Sequence, residues 1–173
     1  MVEFKIGDFF YPIDLLRTYT LLRKSELWTA DQFRRYQAQK LAKLLRFSGT
    51  QVPYYQSLFS EIGIDPSQIN MQNAHSYLQK LPVLSKTTLR DNPGQFLSRD
   101  FQKFHPKAIS TSGTTGTPLT VYWDKDSNVM EFCCIQRLWR WAGFRLGQPF
   151  LDLRSRPMSD QNHRLRVSIR PNK

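Results

Sequence analysis

Only two cysteines occur in the 173 residues, and they are neighbours, Cys133 and Cys134. A useful disulfide closes a long loop, so an adjacent pair excludes a disulfide-stapled scaffold. The three histidines, His75, His105 and His163, stand apart, and no Cys/His spacing of the zinc-binding kind is present. No apolar run approaches the roughly eighteen residues that a bilayer span needs. The start, Met1-Val2-Glu3-Phe4-Lys5-Ile6-Gly7-Asp8, has no basic segment leading into an apolar one and does not read as a secretory signal. Internal repeats and low-complexity tracts are also missing. These absences predict a reducing, cytoplasmic protein with no membrane association and no metal site.

What is present favours a packed fold. Hydrophobic residues make up 40% and aromatics 13% of the chain, enough for a core and too much for wholesale disorder. The length fits one domain, or one and a fraction. The formal net charge is +11, a value that invites a nucleic-acid reading. Its distribution weakens that reading. From residue 154 onward Arg154, Arg156, Arg164, Arg166, Arg170 and Lys173 face Asp160 alone, so the last twenty residues supply +5. A basic end of this kind is expected to be balanced by acidic sequence in a longer protein.

The first hundred residues read as short helices joined by proline turns. The first thirty suggest a partly helical lead-in. A capping box, Thr29 with Gln32, predicts a helix start. Phe33, Tyr36, Leu41, Leu44 and Leu45 follow it at helical spacing, and Gly49 is expected to end the helix. Arg34, Arg35, Lys40, Lys43 and Arg46 form a basic face, read as solvated. Pro53-Tyr54-Tyr55 opens a second helix stopped by Gly63, and Ile64-Asp65-Pro66 is a turn. A third helix is expected over 73–80. Leu81-Pro82-Val83-Leu84 is extended, because the residue before proline avoids the helical region. Ser85 caps a further short helix, broken at Asn92-Pro93.

After Phe101 the pattern changes. Lys107-Ala108-Ile109-Ser110 and Leu119-Thr120-Val121-Tyr122-Trp123 read as strands on either side of a loop. A helix follows, capped by Asp124 or Asp126, with Met130, Cys134, Leu138 and Trp141 expected to form its apolar face. Gly143 is its natural end. The cysteines fall inside this helix as small apolar residues. Phe150-Leu151-Asp152-Leu153, after the Gly147-Gln148-Pro149 turn, suggests another strand.

One segment carries chemistry: Ser110-Thr111-Ser112-Gly113-Thr114-Thr115-Gly116-Thr117-Pro118. Gly113 and Gly116 permit positive φ and close approach of a ligand. Hydroxyls at Ser110, Thr111, Ser112, Thr114, Thr115 and Thr117 surround them with neutral donors. Successive backbone N–H groups in such a turn form a nest for an anion. The pattern is neither a Walker loop, which needs four residues between its glycines and a following lysine, nor a GxGxxG fingerprint. It is read as a nucleotide phosphate-binding loop, with a flexible Ser/Thr/Gly linker as the alternative.

Thr111-Ser112-Gly113-Thr114-Thr115-Gly116-Thr117-Pro118 resembles the phosphate-loop signature of the adenylate-forming (AMP-binding) superfamily. Val52-Pro53-Tyr54-Tyr55, Leu81-Pro82-Val83-Leu84-Ser85-Lys86, Leu89-Arg90, Phe96-Leu97-Ser98-Arg99-Asp100, Trp139-Arg140-Trp141-Ala142-Gly143 and Leu146-Gly147 are similar to the phenylacetate–CoA ligase, CapK-like and coenzyme F synthetase-like group. The resemblance spans roughly residues 31–153. It implies an ATP-dependent ligase in which a carboxylate attacks the α-phosphate, giving an acyl-adenylate and pyrophosphate, before a thiol such as coenzyme A takes the acyl group. Small-molecule carboxylate and nucleotide are the implied partners.

Leu119 stands where many members carry lysine, so no phosphate-loop cation is assigned. The family's magnesium-binding glutamate, ribose-binding aspartate and C-terminal lysine find no counterparts downstream, and the catalytic residues stay unassigned. Asp124, Asp126 and Glu131 read as cap and dipole partners of a helix start.

The fold class expected is therefore α/β and incomplete. Residues 1–100 form a mostly helical region. Residues 101–153 hold the hairpin, helix and strand of an AMP-binding core, and 154–173 a basic irregular tail. Such a chain is expected to be inactive alone, as a truncated or split reading frame. Two other readings stand beside it. One is a small basic module that contacts nucleic acid through Arg34, Arg35, Lys40, Lys43, Arg46 and the tail, although no nucleic-acid motif accompanies them. The other is a subunit that lends its loop to a partner chain carrying the missing part.

Overall fold

The structure, a computed structural model, describes residues 12–111, 118–145 and 148. The first eleven residues of the expected lead-in, the loop residues 112–117, the strand over 150–153 and the basic tail lie outside the described residues. What is described is mostly helical, with one two-stranded antiparallel sheet.

Helix α1 spans Pro12–Ser25 and α2 spans Ala30–Gln51. The α2 start is the expected capping box. The Gln32 backbone N–H donates to Thr29 Oγ1 at 3.3 Å, and the Thr29 N–H donates to Gln32 Oε1 at 2.8 Å. The expected stop at Gly49 is wrong. The helix continues to Gln51 and ends because Val52, forced extended by the following proline, sits at φ −106°, ψ 115°. Gly49 instead lies buried inside α2. A β-carbon there would come within 2.5 Å of the Phe59 ring and 2.8 Å of Pro66 Cγ. The glycine is a close-approach residue.

Helix α3 spans Pro53–Glu61, with proline in its first turn. Gly63 adopts φ 68°, and beyond it the Ile64 N–H donates back to the Phe59 carbonyl at 2.8 Å. That is the Schellman closure a left-handed glycine permits. It tucks Ile64 under Phe59. A 3-10 turn at Pro66–Gln68 follows, with Asp65 accepting from the Ser67 N–H at 2.8 Å. Ala42, Leu45, Phe59, Ile64, Ile69 and Ala74 form the first core, lined by Leu41, Tyr55, Tyr77 and Leu81. Helix α4, Ala74–Lys80, closes it.

Leu81 is extended as expected, and α5, Lys86–Asp91, starts at the Ser85 cap. The 3-10 turn Pro93–Phe96 returns to α3, with the Phe96 ring 4.3 Å from that of Tyr54. Arg99 fastens this return. Its N–H donates to the Gln51 carbonyl at 2.9 Å and its guanidinium to Gln56 Oε1 at 2.6 Å.

The hairpin follows a 3-10 turn at Phe101–Phe104 and a left-handed His105 at φ 48°. Strands β1, Lys107–Ser110, and β2, Thr120–Trp123, pair with Lys107 opposite Trp123 and Ser110 opposite Thr120. Helix α6, Lys125–Trp141, begins at Asp124, whose carboxylate accepts from the Ser127 N–H at 2.7 Å. Gly143, at φ 84°, lies just past its end.

A second core joins the two ends of the described chain. Leu22 of α1 meets Val129 and Cys133 of α6, with Leu15, Met130, Phe132 and Cys134 around them. Asp14 pairs with Lys125 at 2.5 Å, and Glu26 pairs with Arg140. Start matches start and end matches end, so the helices run in the same direction. The expected apolar face of α6 is displaced by one residue, about 100° around the helix. Val129 and Cys133 are buried, whereas Leu138 is 55% and Trp141 61% exposed. Periodicity shows that a helix has an apolar side, but which stripe is covered depends on where the partner seats. Here the partner is α1, contacting the Val129/Cys133 step.

Candidate functional site

The geometry at the root of the Ser/Thr/Gly loop is well defined. Beyond the last strand pair, the Thr111 N–H donates to the Leu119 carbonyl at 2.9 Å. The Leu119 N–H returns a bond to Thr111 Oγ1 at 3.1 Å. Backbone and side chain of one threonine thus clasp the two ends of the segment. The Thr111 hydroxyl accepts in this clasp, which leaves its own O–H to be donated elsewhere. Ser112, Gly113, Thr114, Thr115, Gly116 and Thr117 lie outside the described residues, so of the predicted site the structure places Ser110 and Thr111, side by side at the neck.

The hairpin has two distinct faces because side chains alternate along a strand. Ile109, Val121 and Trp123 are half-buried on one face. Ala108, Ser110, Thr120 and Tyr122 are exposed on the other. Ring contacts seat the unit. Phe101 packs edge-on against Tyr122 at 6.1 Å, and Phe104 against Phe47 of α2 at 5.8 Å. Sequence reasoning stopped at Thr117 and did not consider Thr120, the exposed residue that the strand register sets opposite Ser110.

Other residues singled out by sequence fall as follows. Arg34, Arg35, Lys40, Lys43 and Arg46 are all exposed; Arg34 pairs with Asp31 at 2.8 Å, and the Lys40 ammonium lies 5.5 Å from the Tyr36 ring centre. Trp139 packs edge-on against Phe144 at 5.1 Å, and the Arg137 guanidinium lies 5.2 Å from the Trp141 ring. Asp124 caps α6 and Asp126 lies in its first turn, but Glu131 does not. It sits farther along, with Oε2 buried and without a hydrogen-bond partner, so the reading of Glu131 as a dipole partner is corrected.

Cys133 is buried and Cys134 half-buried, both as free thiols. Burial, then the neighbouring Cys134, pushes the Cys133 thiol up from its ordinary value. Among the described residues no group of three or more His, Cys, Asp or Glu side chains could hold a metal ion. No described helix is long and apolar enough to cross a membrane. An open groove of about 330 Å³ runs beside α2 between Trp28, Gln32, Arg35, Tyr36, Gln39 and Met71. Sequence reasoning did not anticipate it, because Trp28 precedes the helix and Met71 comes from a turn.

Comparison with known proteins finds a distant likeness to a coenzyme A ligase. A similar protein is phenylacetate-coenzyme A ligase of Thermus thermophilus, 28% identical over 117 residues. The match covers 68% of this chain and 26% of that protein, so the chain spans about a quarter of its relative's length. No family model matches the sequence. No solved structure matches it either.

Proposed function

We propose that this chain carries the phosphate-gripping part of an ATP-dependent, carboxylate-activating ligase of the phenylacetate–CoA ligase-like group, with the CapK-like and coenzyme F synthetase-like proteins as neighbours. The observation that carries the reading is the clasped hairpin. A hydroxyl- and glycine-rich segment is held at its root by Thr111 and Leu119, with Ser110 exposed beside it. Neutral donors, rather than a lysine, would meet the phosphate oxygens of ATP at Ser110, Thr111, Ser112, Gly113, Thr114, Thr115, Gly116 and Thr117. The likeness to phenylacetate-coenzyme A ligase supports the class.

In this reaction a carboxylate oxygen bonds to the α-phosphorus while the bond to pyrophosphate breaks. A thiol such as coenzyme A later displaces AMP from the acyl carbon. Charge developing on transferring phosphoryl groups is met by positioned cations and metal ions. The described residues hold no cluster of three or more His, Cys, Asp or Glu side chains that could bind a metal ion, and no step is assigned through one. The remaining catalytic groups are proposed to lie in polypeptide beyond this sequence, on the same chain or on a partner, which leaves the chain inactive by itself.

Titration with ATP tests the reading. Gly113→Val fills space that a phosphate needs and is expected to abolish saturable binding. Equal titration curves for wild type and variant would refute the loop assignment. Binding to RNA or DNA that weakens steeply with salt and ignores Gly113→Val would favour the exposed basic residues of α2 instead. Carboxylate-dependent exchange of pyrophosphate with ATP, measured with and without the completing polypeptide, tests the chemistry.

A further inference from the structure

Resting on that reading, we infer that Ser110 and Thr120 together form a phosphate-oxygen subsite on the outer face of the hairpin, extending the binding surface past the loop onto β2. The two residues oppose each other in register at the end of the sheet nearest the loop. Both are exposed, and their hydroxyl oxygens lie 3.5 Å apart. Hydroxyl pairs that truly bond sit at about 2.7–2.8 Å, so this pair is too far apart to consume its own donors. Each O–H is then available to a ligand on the exposed face of the hairpin. Two neutral donors at that spacing suit two oxygens of a single phosphoryl group. The neighbouring Thr111 oxygen accepts from the Leu119 N–H and so also serves the clasp, whereas the exposed pair facing each other across the sheet is Ser110 with Thr120.

A structural role alone would also place Ser opposite Thr, since such pairs stabilise a sheet. Thr120→Val separates the two roles, because it keeps the β-branched shape and removes only the hydroxyl. Isothermal titration of the full chain with ATP and, separately, with inorganic pyrophosphate is the measurement. Losing one hydrogen bond to a charged oxygen is expected to weaken both ligands about tenfold in Thr120→Val, with the thermal midpoint unchanged. Thr120→Ser restores the affinity. Tyr122→Phe removes a hydroxyl one step farther along the same face and leaves binding within about twofold, the scale of an unengaged group.

If Gly113→Val abolishes binding while Thr120→Val matches wild type, the subsite is wrong and the loop reading stands. An equal loss in Tyr122→Phe would spread the effect along the strand and overturn the paired subsite. A wild-type chain that binds neither probe at millimolar concentration, or whose binding survives Gly113→Val, overturns both.

Discussion

Replacing Gly49 by alanine sets two effects of opposite sign against each other. Inside a helix alanine is better than glycine by about 1 kcal/mol. Against that, the added carbon would lie 2.5 Å from Phe59 Cδ2, 2.7 Å from Phe59 Cε2 and 2.8 Å from Pro66 Cγ. Non-bonded carbons prefer about 3.5–4.0 Å. The Phe59 ring has little room to retreat, being 1% exposed and clustered with Ala42, Leu45, Ile64, Ile69 and Ala74. Overpacking costs about 1–3 kcal/mol, and contacts this short belong at the upper end. The expected net is a loss of about 1–2 kcal/mol. Urea denaturation followed by circular dichroism should show a lower midpoint with an unchanged slope. Gly94→Ala, where nothing lies within 4 Å of the added carbon, should change stability by no more than about 0.5 kcal/mol. A midpoint raised by Gly49→Ala would show that propensity dominates and that α2 does not approach Phe59 this closely.

Three further outcomes are expected. Thr29→Ala removes the acceptor for the Gln32 N–H and should cost about 1 kcal/mol by the same denaturation assay. Alkylation of the native protein, read by mass spectrometry, should label Cys134 well before Cys133. Burial both hides the Cys133 sulfur and raises its pKa, so its neutral thiol supports the fold at neutral pH and that support is lost as pH rises through the raised value. Asp65 is the opposite case. The Ser67 backbone N–H, then the Ser67 side chain, holds its carboxyl below the ordinary 3.8. Its stabilising contribution is present above that ordinary value and lost as pH falls through the lowered one. Asp65→Asn should therefore remove part of the loss of stability seen on acidification; a wild-type and variant pair with parallel acid titrations would refute this.

Much of the local structure was legible in the residues. The Thr29/Gln32 box, the Asp124 cap, the left-handed glycines at 63 and 143 and both strands of the hairpin depend on side chains within a few positions of one another, and each appears where the sequence puts it. What sequence misjudged depends on distant partners. Gly49 looks like a helix stop until Phe59 and Pro66 are seen against it. The covered stripe of α6 is fixed by α1, more than a hundred residues earlier in the chain. Of the candidate site, the neck is seen at Ser110 and Thr111 and the loop motif is read from its residues alone. Thr120 was not singled out because the motif was read as a string; its place beside Ser110 comes from the cross-strand register, which only the structure supplies.

The parallel contact of α1 with α6 also sets an order of assembly. At ordinary rates of synthesis, α6 follows α1 out of the ribosome after an interval on the order of ten seconds. The cluster around Phe59 needs only residues between Leu41 and Leu81 and can close during that wait. Leu15 and Leu22 cannot, because their counterparts Val129 and Cys133 have yet to be made. The nascent chain thus carries an uncovered apolar helix face ahead of a finished core, and its yield in cells should respond to chaperones that shelter exposed apolar segments.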